Sequence, residues 1–347
     1  MINTSVETVN ALSPEPGIIA KAASVLAAGG LVAFPTETVY GLGADGLSEL
    51  ACRKIFLAKG RPADNPLILH LSDTEGIEAL CTHVSDVARE AICMFAPGPL
   101  TFVLPKSCIV PDAVSAGLPT VAVRIPSHPV AHALIKACGF PIAAPSANRS
   151  GRPSPTCTAH VLSDLDGRID LILDGGVSSV GLESTVVSFA ERVPTLLRPG
   201  GVTLEDLRSV LGRVDVDPTV VAASFAGRAP TAPGMKYRHY APIAPLILIS
   251  GKHENALSHM VGKQDQGRVG ILCYAGEEPL FSRAAHVVAL GSFGDSVSQA
   301  QNIFSALRCF DEAALDCILA YLPEEDGLGL AVRNRLLKAA GHEVIEV

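Results

Sequence analysis

The chain has 347 residues, 48% hydrophobic and 18% charged, with a formal net charge of −8. That balance excludes a disordered chain and disfavours broad electrostatic capture of nucleic acid, so any polyanion site has to be built from local cations. No apolar run reaches the roughly 18 residues of a membrane span, and MINTSVETVNALSPEPG at the start has neither a basic segment followed by an apolar one nor an Arg-rich presequence; a cytoplasmic, soluble protein of two globular domains, with no membrane partner, is expected.

Ser13 as N-cap, Pro14 just inside and Gly29 at the stop predict a helix over 14–28, and LVAFP after it reads as a strand. A second helix is predicted over 48–58. Short β-rich runs follow at 67–71, 101–104, 120–125, 141–144, 170–173, 184–189 and 194–197, with helices near 85–95 and 129–138. Several neighbouring strands have connections too short for parallel crossovers, so the first domain, 1–211, is expected to be α/β with a mixed sheet. Residues 212–244 lose periodicity, contain GRAPTAPGMKYRHYAPIAP and read as a linker. Beyond it PLILIS, RVGILCY, HVVAL and LDCILAY alternate with helical patterns near 253–261, 295–310 and 329–340, which predicts a small Rossmann-like α/β domain over 245–347. Nine cysteines, an odd number without C-x-x-C, argue against a disulfide framework or a thiolate zinc site and are expected to be reduced, mostly buried packing residues.

Familiar motifs fail on context. GLGADG (41–46) matches G-x-G-x-x-G, but PTETVY separates it from the strand and the next helix begins only after the third glycine; its glycines are read as turn residues that let backbone approach a ligand. No P-loop pattern occurs. HPVAH (128–132) has Pro129 where a zincin needs Glu, and neither Ser146 nor Ser184 lies in a G-x-S-x-G elbow.

What stands out is six loops carrying hydroxyls and cations beside apolar strands: FPTETVYGLG (34–43), KGRPADNPLILH (59–70), PTVAVRIP (119–126), APSANRSGRPSPT (144–156), GLESTVV (181–187) and LRPG (197–200). Any one of them alone is better read as ordinary turn chemistry, and any one cation as a solvated surface charge, but six together are less easily dismissed. A polyphosphate site needs fixed cations with hydroxyl and backbone N–H donors, and no acid/base pair, because phosphoryl and nucleotidyl transfer is mainly positioning and charge stabilisation. Lys59, Arg61, Ser146, Asn148 and Arg198 suit that task, with Lys59 and Arg61 expected to be accessible on a loop stiffened by Pro62 and Pro66. Arg124 and His70, each leaving a strand, suit a smaller anion such as a carboxylate.

In this order and spacing, VAFPTETVYGLG, KGRPADNPLILH, TVAVRIP, APSANRSGRPSPT, ESTVV and LRPG resemble the threonylcarbamoyl-AMP synthase family, whose catalytic module is the YrdC-like domain. PGMKYRHYAP and the tail are similar to its long, two-domain form. The resemblance implies a twisted open mixed α/β sheet with a concave cavity in the first domain. It implies a nucleotidyltransferase that makes L-threonylcarbamoyladenylate and pyrophosphate from ATP, L-threonine and bicarbonate or CO2. Mg2+ would accompany the ATP. This is the first step toward the t6A modification of adenosine 37 in ANN-decoding tRNAs, and the adenylate would pass to a downstream threonylcarbamoyl transferase complex acting on tRNA.

By the same similarity Lys59 and Arg61 are catalytic. Arg61, Asn65, Thr120, Ser146, Asn148, Ser154, Arg198 and Tyr237 hold ATP, while Thr38, His70, Arg124, Ala144 and Ser184 surround threonine. No residue is assigned to a metal. In MKYRHY (235–240), Tyr237, His239 or Tyr240 is expected to close over the cavity. The competing reading is a double-stranded RNA-binding regulatory module; a carbamoyltransferase is disfavoured by the missing C-x-x-C pairs.

Overall fold

In the computed structural model, which describes residues 3–221 and 239–347, the apolar runs of the first part become short strands. They are β1 (Ser5–Thr8), β2 (Val32–Phe34), β3 (Gly41–Asp45), β4 (Ile68–His70), β5 (Leu100–Pro105), β6 (Thr120–Arg124), β7 (Ile142–Ala143), β8 (Leu171–Asp174), β9 (Thr185–Ser188), β10 (Thr195–Arg198) and β11 (Asp215–Val216). They form one sheet in the order β1-β8-β2-β3-β7-β4-β6-β5-β9-β10-β11. The sheet is mixed: β4 runs parallel to β6 and β5 parallel to β9, while β6 and β5, β3 and β7, and β9 and β10 pair antiparallel.

Helices Pro16–Ala27 and Pro129–Cys138 cover one region of this sheet, where Ile19, Leu26, Val130 and Leu134 pack against Val32, Phe34, Leu171 and Leu173 in one buried cluster. The first of these helices starts later than predicted, with Glu15 rather than Ser13 at the N-cap position, but stops where Gly29 takes φ +75°.

Two of the three glycines of GLGADG are not turn residues; Gly46 alone lies in the turn after the strand. Gly41–Asp45 is β3, and a Cβ on Gly43 would lie 2.9 Å from both the Ile142 and Phe34 side chains, so glycine here permits close packing within the sheet rather than approach of a ligand. At the other edge β11 pairs with β10 inside the stretch read as aperiodic, and Pro218–Val221 follows as a short helix; two-residue edge strands owe their existence to a partner, not to a pattern.

The remaining strands are β12 (Leu246–Ser250), β13 (Val269–Cys273), β14 (His286–Ala289), β15 (Cys317–Tyr321) and β16 (Val344–Glu346). They form a separate, all-parallel sheet in the order β14-β13-β15-β12-β16, with helices His253–Lys263, Ser296–Cys309 and Gly329–Ala339 as crossovers. Burial on both faces explains why β13 and β15 are nearly continuous apolar runs.

The described residues fall into two compact units, one of 3–150 and 154–220, the other of Gly151–Pro153, Val221 and 239–347. Within the second unit Tyr240 is buried, its ring 5.1 Å from that of Phe304 and 5.7 Å from the Arg335 guanidinium. Tyr237 lies outside the described residues. All nine cysteines are free thiols, but only Cys52, Cys81 and Cys273 are buried, and Cys93, Cys108 and Cys309 are exposed, so packing in the core does not account for most of them. Among the described residues no helix is long and apolar enough to cross a membrane.

Candidate functional site

Strand register places the first set of side chains. His70 on β4 is directly opposite Arg124 on β6, and Arg124 is directly opposite Thr101 on β5. Residues paired in this way share a face, so His70, Arg124 and Thr101 form a row across three strands. The β2–β3 loop meets this row. Thr36 closes it as a hydroxyl turn, its Oγ1 accepting from the Thr38 and Val39 amides and donating to the Val39 carbonyl at 2.6 Å. Because the Thr36 proton is committed there, the 2.8 Å contact between the two hydroxyls has Thr38 as donor, and Thr38 Oγ1 accepts from Arg124 Nη1 at 2.9 Å.

Arg124 is 4% exposed and forms an ion pair with Glu37, Nη2 to Oε1 at 2.6 Å. Burial would raise the Glu37 carboxyl, but the Arg124 guanidinium overrides it and holds the group below its ordinary value. Burial and the same guanidinium act together on His70, lowering it to about 3, so the imidazole is neutral. Its Nδ1 lies 3.2 Å from the Ile68 carbonyl.

At the far end of the row Thr101 Oγ1 is 2.8 Å from Ser184 Oγ. Arg198 clamps Ser184 twice, through Nε to its carbonyl at 3.0 Å and Nη2 to its hydroxyl at 3.1 Å. The glycine of LRPG makes this possible. A Cβ on Gly200 would lie 2.3 Å from the Thr185 amide nitrogen, so only glycine lets the two backbones close enough to seat Arg198 on Ser184. Ala144, directly after β7, donates its amide to the Ile68 carbonyl at 2.9 Å, two residues from His70.

The second set is built on helix Glu49–Lys59. Ser48 caps its start, accepting from the Ala51 amide, and Gly60 ends it at φ +61°. Lys59, its last residue, is not accessible as expected: it is 4% exposed, and its ammonium donates to the carbonyls of Ser146 and Asn148. A terminal lysine of a helix that packs against a neighbouring loop finds carbonyl acceptors there before it reaches solvent. Ser146 Oγ donates to Asn148 Oδ1 at 2.5 Å, so Lys59, Ser146 and Asn148 form one bonded group. Arg61 is half-buried, with Nη2 donating to the Asn65 and Pro66 carbonyls at 3.1 Å each. Ser154 Oγ donates to Glu183 Oε1. Thr120 starts β6, four residues before Arg124 and so about 13 Å along the strand; among the described residues its hydroxyl bonds to none of the others.

Sequence reading missed Glu37, Glu183 and Thr101. The two acids were the only carboxylates within FPTETVYGLG and GLESTVV, each inside an otherwise apolar and hydroxylic run, and that isolation was the available signal. Among the described residues no group of three or more His, Cys, Asp or Glu side chains is placed to hold a metal ion.

A family model described as "Telomere recombination", of the Sua5–YciO–YrdC group, matches residues 24–200, and one described as "Threonylcarbamoyl-AMP synthase, C-terminal domain" matches 202–341. The chain is 47% identical to a threonylcarbamoyl-AMP synthase of Pyrococcus abyssi, over 94% of this chain and 95% of that one. It is 46% identical to the Bacillus subtilis protein of the same name, over 98% of each. Among solved structures it is similar to Pyrococcus abyssi Sua5 complexed with L-threonine, with a TM-score of 0.90 at 45% identity over 100% of this chain and 99% of that one. A doubly substituted form of the same protein gives 0.91 at 44% identity, over 100% and 98%. Six ordered motifs, a mixed sheet followed by a parallel one, and relatives matched end to end agree: the chain belongs to the threonylcarbamoyl-AMP synthase family, in its long two-domain form.

Proposed function

We propose that the chain makes L-threonylcarbamoyladenylate and pyrophosphate from ATP, L-threonine and bicarbonate or CO2, for t6A modification of tRNA. The observation that carries this reading is the Ser184 clamp, because Arg198, expected at the nucleotide, holds the backbone and hydroxyl of a residue expected at threonine. That contact supports a reading in which nucleotide and threonine lie side by side. The double-stranded RNA-binding alternative is not favoured, since the relatives matched over their full length are named as synthases.

In this reading the threonine amine adds to the carbon of CO2, an N–C bond forms and a proton is released to give a carbamate. A carbamate oxygen then forms the bond to the α-phosphorus while the bond to pyrophosphate breaks. Neither step asks for a protein nucleophile. The work of this chain is to hold the two substrates in line and to meet charge. Arg124 binds the threonine carboxylate, the neutral His70 and the Thr38, Thr101 and Ser184 hydroxyls surround the amino acid, and Arg61 faces the phosphates. Lys59 shapes the Ser146–Asn148 loop and lends its charge through space. Mg2+ brought with ATP would supply charge compensation for the pyrophosphate group, and Glu183, bonded to Ser154, is the carboxylate that would help hold it. The adenylate then passes to a transferase complex acting on tRNA.

The test is product identity. Incubation with ATP, threonine and 13C-bicarbonate should yield an adenylate carrying both the amino acid and the labelled carbon by mass spectrometry. A threonyl adenylate without the label, or ADP alone, would contradict the proposal.

A further inference from the structure

Glu37 has no part in the reaction as written above, yet it is the anion with which the buried Arg124 is paired. We infer that Glu37 is a positioning residue that fixes the Arg124 guanidinium for the carboxylate of the amino-acid substrate; the inference rests on the synthase reading and deepens it.

Three anchors define the orientation of Arg124. Nη2 donates to Glu37 Oε1 at 2.6 Å, Nη1 to Thr38 Oγ1 at 2.9 Å and Nε to the Gly98 carbonyl at 3.3 Å. Two separate segments of chain, the β2–β3 loop with Glu37 and Thr38 and the stretch with Gly98, thus grip one planar group, and the shortest of the three bonds is the one to Glu37. It is also the only charged anchor, because the neighbour across the strand, His70, is held neutral. An arginine in this position without a counter-ion would be an uncompensated buried charge, free to turn toward any carbonyl in reach. With Glu37 in place its direction is set before substrate arrives, so less ordering is left to be done at binding.

Two features argue against a purely structural ion pair. Glu37 Oε2 is buried and makes no hydrogen bond, so the carboxylate is only half satisfied, whereas a pair retained for stability alone is favoured only when its remaining acceptors are filled. The pair also sits inside the hydroxyl network rather than in the apolar cluster beneath the helices, sharing Thr38 with the threonine set. Neutralisation has a further consequence. A bare buried arginine attracts any anion, phosphate included, while the Glu37–Arg124 pair offers directed N–H donors with little net charge and so favours a ligand that matches its geometry.

The test uses the full chain, with pyrophosphate release measured for the parent, Glu37→Ala and Glu37→Gln. The amide of Glu37→Gln retains an oxygen to accept from Nη2; Glu37→Ala does not. The Ala variant should raise the threonine KM at least tenfold while the ATP KM, and kcat at saturating threonine, stay within threefold. Glu37→Gln, which keeps an acceptor for Nη2 but not the counter-charge, should give a threonine KM between those of the parent and of Glu37→Ala. Unchanged threonine KM in Glu37→Ala would overturn the inference, as would equal rises in both KM values in Glu37→Ala and Glu37→Gln alike. If Glu37→Ala does not fold, Glu37→Asp replaces it: the shorter side chain should raise the threonine KM selectively, and no selective rise would overturn the inference. Failure of the synthase reading is seen separately, as a parent that releases no threonine-dependent pyrophosphate. Calorimetric titration with L-threonine then takes the place of KM for the same variants, and a parent that binds no threonine would overturn both.

Discussion

The ammonium of Lys59 lies beneath the Ser146–Asn148 loop and donates to the backbone carbonyls of both residues. A cation that reads in the sequence as a phosphate ligand thus also ties the end of its helix to that loop.

It follows that Lys59→Met should act on the fold as well as on the chemistry. Removing the donor leaves two inward carbonyls without their partner, a loss of about 2–4 kcal/mol at the penalties usual for such groups. Thermal unfolding should shift down by several degrees and the ATP KM should rise. An unchanged melting temperature would mean that the loop is held without Lys59.

Arg61→Ala should behave differently. Arg61 is half-buried where Lys59 is buried, so its loss should lower the melting temperature less than that of Lys59. If it meets developing charge on the phosphates, kcat/KM should fall by roughly 10²- to 10³-fold, about 2.7–4 kcal/mol. A large drop in melting temperature with proportionate loss of activity would make it structural instead.

Arg198→Lys tests the link between the two substrate sets. A lysine cannot reproduce the two bonds to Ser184, from Nε and Nη2, with one point charge. KM should rise for threonine and ATP together, each about tenfold, or roughly 1.4 kcal/mol. A rise for ATP alone would show that Ser184 keeps its place without the clamp.

These contrasts also mark what the sequence made legible. Amphipathic periodicity located helices such as Asp86–Phe95 and Pro129–Cys138, and the apolar runs of β12, β13 and β15 announced a buried parallel sheet. β3 was hidden because its two glycines look like a turn until the packing of Gly43 against Phe34 and Ile142 is known. β1 and β11 were hidden because polar edge strands carry little pattern of their own. For the site, the hydroxyls and cations were readable from motif chemistry, but partners were not. Glu37 finds Arg124 across 87 residues, and only the sheet order brings them together.

Stability should depend on pH through His70. Its folded-state value is about 3 against 6.5 for the ordinary imidazole, so between these pH values the unfolded chain binds a proton that the folded chain refuses. That contribution to stability is fully present above about pH 6.5 and is lost progressively as pH falls toward 3. Burial lowers His128 as well and adds in the same direction. Glu37, lowered from 4.5, adds a loss of its own only at more acid pH, as the medium falls through its folded-state value. Thermal melts of parent and His70→Gln at about pH 7 and pH 5 should show a shallower decline in the variant. Equal declines would mean that His70 titrates normally in the folded protein.

The most direct measurement is pyrophosphate release from ATP by the full chain with each of threonine, bicarbonate and Mg2+ left out in turn. Release is predicted to require all of them together, and serine to replace threonine poorly, since the small Ala144 leaves space for the extra methyl group to pack. Equal release without an amino acid, or with threonine in the rigorous absence of bicarbonate and CO2, would contradict the account.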